Sequence, residues 1–503
     1  MKTRIALALL TVFVTVSASA GVSDNDATCD IKVGPAATLL LPYFEVDLQP
    51  GGEQTTLFTI TNVSRYSQIA HVTLWTDWSV PVFNFNIFLT GYDVQSINLK
   101  DIIVSGIVAS AAGTGPTTAK SPLGALTSPT NGGPGYTNPN FKAAIECDAL
   151  PGVIPQTVIA TVRNALTSGN SPDLTSRVGG PHANAIGYAT VDVVGSCSTR
   201  LPSDPLYYTT DLLFDNVLIG DYQQIGPHPS SGSAAFDAGG NPMVHIRAVP
   251  EGGGAGSNVA TELPYTFYDR YTPATNRLQD RRQPLPSTFA ARFIQGGAGA
   301  FATNYTIWRE GFGNGTFNTS QPVNGALSVM EIVRFDETDN PTVAPPCNAL
   351  CPGIPTYTFP ATSSSSTASA SYPSRSSADV GGWMYLNLNN GGSTGYSVTR
   401  RISGFATVIT GPGSTSNLAP SLSQTVGPRP SQNWVTITMF GTLGTKRLVA
   451  EFDAASLGNG CTPAASVGSV FGPAGGVFVC PPGATLANGT TALCTGTNIN
   501  PKP

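Results

Sequence analysis

The chain has 503 residues, of which 41% are hydrophobic and only 11% charged, with 25 basic against 30 acidic side chains and a formal net charge of −5. So much apolar content argues against a disordered chain, and slight acidity without any Lys/Arg run argues against nucleic acid as a partner. The 55 glycines and 41 prolines, beside abundant Ser, Thr and Asn, predict many short strands rather than helices: an all-β, mostly antiparallel, sandwich-like architecture with long Gly/Pro/Ser-rich loops.

At the N-terminus, Lys2 and Arg4 precede an apolar run over 6–16 and an A-x-A pattern at Ala18-Ser19-Ala20. This reads as a secretion signal over 1–20, too short in its apolar part to stay as a membrane anchor. No later stretch has the length of a transmembrane helix. The mature chain is therefore expected to be secreted or periplasmic, without stable membrane insertion.

The first strand is expected over 37–46, interrupted by Pro42, and a second over 55–63, with Gly51-Gly52 as the turn between them. Residues 69–99 then read as two long strands about Ser79-Val80-Pro81. Side chains alternate faces along a strand. One face of the first of these carries Ala70, Val72, Leu74 and Thr76, and the other carries His71, Thr73, Trp75 and Asp77. On the next strand Asn84 and Asn86 oppose a Phe83/Phe85/Ile87/Leu89 face. The row His71, Trp75, Asp77 and Asn84 has two readings: a platform for a sugar or other planar ligand, or a second, wetter core layer whose polar tips bond to neighbours.

Residues 101–110 read as a strand or a short helix, 113–140 as a long Gly/Pro loop, 141–147 as a helical turn or two, and 156–166 as strand or helix. Residues 185–194 are strand-like, and 205–225 form the most acidic structured segment, with Asp211, Asp215 and Asp221. Further strands are expected over 242–249, 284–294, 302–308, 326–335, 383–388, 401–409, 433–440 and 446–452. The Ser-rich stretch 345–380 reads as a mobile insertion or linker within one β-rich region, 21–460, built of one or two sub-sheets. Residues 461–503 read as a disulfide-tied tail without a core of its own.

All eight cysteines follow the signal, and an even count in an exported chain implies disulfides. Local pairs are Cys347–Cys351 and Cys480–Cys494, with Cys147–Cys197 and Cys29–Cys461 as one completion among many. Zinc at Cys347 and Cys351 is disfavoured, because no second pair stands at zinc-like spacing. The cluster Asp336-Glu337-Thr338-Asp339-Asn340 offers Asp336 and Asp339 as ligands for calcium, or else forms an ordinary acidic turn.

Catalytic motifs are scarce. The G-x-S-x-G match at 391–395 precedes strand-like sequence instead of the helix a nucleophile elbow needs, and all four histidines, His71, His182, His228 and His245, precede it. There is no zinc-protease, P-loop or dinucleotide motif, and no cofactor is implied. Paired carboxylates suffice for glycoside hydrolysis, and Asp77, Asp211, Asp215 and Asp221 are the candidates.

Several stretches resemble a family of uncharacterised exported bacterial proteins: LLLPYFEVDL (39–48), HVTLWTDWSVPV (71–82), LTGYDVQSINL (89–99), RRQPLPSTFAARF (281–293), GWMYLNLNN (382–390), QNWVTITMF (432–440) and AEFDAASLGNGC (450–461). The resemblance implies one architecture from start to end and no particular activity. The functional expectation is a secreted surface, matrix or binding protein rather than an enzyme, with a glycan or a surface protein as partner. Its rival is a secreted carbohydrate-active hydrolase using paired aspartates.

Overall fold

The computed structural model describes residues 31–108, 154–251, 280–309, 327–344, 381–387 and 432–458, with short strands at 358–359, 363–364, 397–400 and 422–425. Within these stretches 78, 171–177, 196–199, 203, 205, 228–235, 250, 287, 295, 329–330, 340 and 445 are left out. The segment 1–20 read as a signal, the segment 113–140 read as a loop, the G-x-S-x-G stretch, the 401–409 strand expectation, the tail and all eight cysteines lie outside the described residues.

The strands of the first half are β1 (Thr38–Val46), β2 (Thr55–Asn62), β3 (Gln68–Thr76), β4 (Pro81–Leu89), β5 (Val94–Asn98), β6 (Ala185–Val194), β7 (Leu218–Pro227), β8 (Phe236–Pro242) and β9 (Val244–Ile246). Those of the second are β10 (Thr288–Ile294), β11 (Ala302–Arg309), β12 (Leu327–Ser328), β13 (Glu331–Asp336), β14 (Pro341–Ala344), β15 (Thr358–Phe359), β16 (Ser363–Ser364), β17 (Gly381–Asn387), β18 (Ser397–Arg400), β19 (Leu422–Thr425), β20 (Asn433–Leu443), β21 (Lys446–Asp453) and β22 (Ala455–Gly458). Every pairing among them is antiparallel.

The four main sheets divide along the sequence. The first half forms a central sheet, β4-β3-β6-β1-β9, and an outer sheet, β5-β2-β7-β8; the second forms β14-β13-β17-β10-β22 and β16-β11-β20-β21. The expected all-β, sandwich-like fold is thus observed. The undecided stretch at 156–166 is helix α1 (Gln156–Thr167), which buries Ile159, Val162, Ala165 and Leu166 at helical spacing. The undecided stretch after 101 is a wide helical turn, Asp101–Ser105. The Ser-rich segment is not all linker: β15 pairs with β12, and β16 pairs with β11. Among the described residues no helix is long and apolar enough to cross a membrane.

Local sequence explains the central sheet. Pro42 lacks the N–H a ladder needs, and the β1–β6 register shifts between Leu41 and Phe44, a bulge that accommodates it. The apolar residues Leu39, Val191, Val72 and Phe85 stand side by side on β1, β6, β3 and β4. Phe58 and Ile60 of β2 are buried in the same core cluster.

A polar row crosses the same four strands. Thr38 pairs with Asp192, Asp192 with His71 and His71 with Asn86. All four are buried, and a buried carboxylate needs partners. Asp192 Oδ1 accepts from Thr38 Oγ1 at 2.5 Å, and its Oδ2 accepts from the Tyr207 hydroxyl. Arg282, from the segment joining the two halves, lies 3.6 Å from Asp192 Oδ1 through Nε, which donates to Thr38 Oγ1. Its Nη1 donates to Asp280 Oδ1 at 3.1 Å.

The same segment is bonded to both halves. Val249 N donates to Arg281 O at 2.8 Å and Gln283 N to Arg247 O at 2.9 Å. Further on, Leu285 N donates to Gln432 Oε1 at 3.0 Å and Asn433 N to Pro286 O at 2.9 Å. Asp192→Ala would leave the Arg282 charge enclosed with one carboxylate fewer. The expected cost is about 3–5 kcal/mol, read as a lower midpoint in urea unfolding followed by tryptophan fluorescence.

Candidate functional site

The His71–Trp75 face does not reach solvent. Trp75 is fully buried, stacks on Tyr188 at 5.6 Å with an interplanar angle of 4°, and donates through Nε1 to Thr190 Oγ1 at 2.9 Å. Tyr188 meets Trp308 of β11 edge-on at 5.6 Å, so an aromatic line runs from the first half into the second. Gly187 is required beside it, since a Cβ there would lie 2.1 Å from Trp75 O. His71 Nδ1 lies 2.8 Å from Asn86 Oδ1, and its ring faces Tyr207 at 5.4 Å. Burial lowers the His71 pKa. Asn84 alone of the row is half-exposed, opposite Thr73 on the edge strand β4. The surface-platform reading of His71 and Trp75 is therefore corrected to the core-layer reading.

Asp77, past the end of β3, holds a loop. Its Oδ1 accepts from Gly180 N at 2.9 Å, and its Oδ2 lies 2.9 Å from His182 Nε2. Asp211 is enclosed and accepts from Arg200 Nη1 at 2.8 Å, and Asp215 is fully buried. All three aspartates are buried.

Asp336 and Asp339 serve the β13–β14 turn. Asp336 Oδ1 accepts from both Thr338 N and Thr338 Oγ1 at 2.8 Å. Asp339 takes a left-handed conformation, φ 60°, and accepts from Trp383 Nε1 at 3.4 Å. No group of three or more metal-ligating side chains occurs among the described residues, and the contacts observed are those of an acidic turn.

Asp221 is placed differently. It stands exposed on β7, on the outer face of the outer sheet. The register sets Ser96, Thr59 and Asp221 in one row and Asn98, Leu57 and Gln223 in the next. The inward residues of β2, Thr56, Phe58, Ile60 and Asn62, are buried, so the strand alternates cleanly. Above these rows the turn Asp101–Ser105 and its continuation bring Asp101, Ile102 and Ile107, and together they enclose a groove of about 450 Å³.

The wall of this groove is fixed in place. Arg163 of α1 donates through Nε to Ile103 O at 2.6 Å and through Nη2 to Val104 O. Gly106 ends the turn at φ 69°, and its amide returns to Ile102 O at 3.1 Å. Asn98 Oδ1 accepts from Thr55 Oγ1 at 2.7 Å and Lys100 N at 3.0 Å, which orients its amide. The Lys100 ammonium donates to Gly52 O, a backbone group outside the lining. Among the described residues neither Asp101 nor Asp221 has an ion-pair partner. Sequence reasoning named Asp221 but not Asp101, Asn98 or Gln223; the strand expected over 55–63 did not show what roofs its outward face.

A second carboxylate pair went unread in the sequence. Glu451 and Asp453 share one face of β21 and are half-buried. Glu451 Oε1 accepts from the Tyr222 hydroxyl at 3.2 Å. Asp453 Oδ1 accepts from Asn241 Nδ2 at 2.7 Å, Trp434 Nε1 at 2.8 Å and Thr436 Oγ1 at 3.3 Å. Their hydrogen bonds are thus occupied at a contact between sheets.

Two measurements check these placements. Trp75→Ala is expected to cost about 3–5 kcal/mol of stability, as removal of a buried Trp does, in urea unfolding. His245 gives a pH signature. Its Nε2 accepts from Gly220 N at 3.1 Å, which requires a neutral ring, and burial lowers its pKa to about 4. A depressed pKa contributes stability that is present above the unfolded value of about 6.5 and lost as pH falls toward the folded value. Amide exchange in β7 and β9 is therefore expected to quicken, relative to intrinsic rates, as pH drops from about 6.5 to 4. Comparison of the chain with protein-family models, with curated proteins and with solved structures finds no match.

Proposed function

We propose that the protein is a secreted or periplasmic binding protein, of the surface or matrix type and disulfide-stabilised, whose groove on the outer sheet takes a hydroxyl-rich ligand such as a glycan. One observation carries this reading: a groove of about 450 Å³ whose floor is two strand-register rows of outward side chains. The volume falls in the range of small-molecule sites, ~300–1,000 Å³. Thr59, Ser96, Asn98, Gln223, Asp101 and Asp221 supply hydroxyls, amides and carboxylates, while Leu57, Ile102 and Ile107 supply apolar surface. A sugar presents this same mixture of hydroxyls and C–H faces. Strand-mounted groups need little ordering when a ligand arrives, which favours binding.

The hydrolase reading has a specific foothold too, because Asp101 and Asp221 border the same groove. In that reading one would protonate the leaving oxygen and the other would act as nucleophile or base.

A glycan array and polysaccharide pull-down with the exported protein tests both. Gln223→Ala and Asp221→Asn are on exposed positions and are expected to fold. Each removes hydrogen-bonding capacity worth roughly 1–2 kcal/mol, so about 5- to 30-fold weaker binding is expected. Binding unaffected by either change would remove the groove from consideration. Release of reducing ends from a bound oligosaccharide, abolished by Asp221→Asn with binding retained, would turn the conclusion to hydrolysis.

A further inference from the structure

Besides the Arg282 segment and the Tyr188–Trp308 contact, the two halves of the chain meet at a further place. There β21 of the second half lies against β8 at the edge of the outer sheet of the first half. The groups facing one another are few and unusual. From β21 come Glu451 and Asp453; from β20, Trp434 and Thr436; from β7, Tyr222; from β8, Asn241. Tyr222 is the one other titratable group in this set. No Lys, Arg or His is ion-paired to either carboxylate among the described residues.

We infer that this junction is a proton-dependent clasp: it is tight when Glu451 and Asp453 are protonated and loosens when both become charged. The reason is local and does not draw on the groove. Two carboxylates two residues apart on one strand face point at the same partner strands. Charged, each loses solvation and repels the other, with no cation to compensate. Asp453 has three neutral donors to soften its charge, and Glu451 has only Tyr222. Glu451 is the weaker point and is expected to open the contact first.

The titration agrees in direction with the geometry. Burial, chiefly, raises Glu451 to about 7 and Asp453 to about 6. Carboxyl groups whose folded pKa lies above the unfolded value contribute stability that is complete below the unfolded value. That stability is lost as pH rises through the folded one. The clasp therefore weakens across roughly pH 5 to 8, the opposite sense to the acid sensitivity of His245. Because Tyr222 is pushed well above its ordinary value, chiefly by burial and next by Glu451, it stays a neutral donor throughout this window.

Hydrogen–deuterium exchange of the full chain at pH 5, 6, 7 and 8, corrected for intrinsic rates, reads the clasp directly. Peptides covering β8 and β21 are expected to gain about 10-fold or more in exchange from pH 5 to 8, as one pKa unit or more of linkage implies. Glu451→Gln with Asp453→Asn, which fixes both groups neutral, is expected to abolish that rise while leaving β1 and β6 unchanged. Glu451→Gln alone, at a half-exposed position, should remove most of the rise and serves if the double variant does not fold. A rise of equal size in wild type and Glu451→Gln overturns the inference, as does flat exchange in wild type across the range.

Discussion

A single guanidinium holds the architecture together. Arg282 is buried completely and sits on Thr38, Asp192 and Asp280. An ion pair in such a place does not stabilise by its Coulomb attraction alone, because removing both charges from water costs about as much. What it does is make one arrangement far better than any other. The two arginines of the joining segment also cover the Phe214 ring, with Arg281 at 4.8 Å and Arg282 at 5.1 Å from its centre. A chain in which the segment lay elsewhere would take Arg282 away from Asp192, while Asp280, two residues from Arg282, would travel with it. The position of the second half relative to the first follows from that penalty, and the Tyr188–Trp308 contact reinforces it with apolar area.

The central sheet accordingly has two unlike faces. One is aliphatic and faces the outer sheet, as in any sandwich. The other carries a hydrogen-bonded polar row and then a tryptophan. Such a layer is costly when half-satisfied and rigid when complete. The function proposed above uses neither face. It uses the outward face of the outer sheet, where β2, β5 and β7 present Thr, Ser, Asn, Gln and Asp in register.

Much of this was legible in the sequence, and the rest was hidden for identifiable reasons. The alternation of 55–62 is visible by eye, and β2 follows it. The run at 185–194 reads as a strand, and an aspartate at 192 inside so apolar a run already demands a partner. That the partner would be Arg282, 90 residues later in sequence, was beyond reach, because register and tertiary pairing are not written locally. Trp75 and His71 were placed correctly on one strand face, but whether a second layer covers that face depends on segments far away. Glu451 and Asp453 went unread for the same reason. Asp101 and Asp221 come together only because a glycine-terminated turn folds over β2 and β7.

The order of strands in the central sheet also sets a timetable. Strand β1 pairs on one side with β6 and on the other with β9, which ends at Ile246. Chain growth of about 5–20 residues per second means that β1 waits roughly 10–40 seconds for its last neighbour. Until β6 is made, a strand of Leu39, Leu40, Leu41, Tyr43 and Phe44 has both edges open, and one edge stays open until β9, the condition in which β segments find partners in other molecules. Loop closure over such distances also slows the search itself. The fold is therefore one that must be kept apart from its neighbours until late, and Pro42, which interrupts the ladder in the middle of β1, removes one N–H from that open edge.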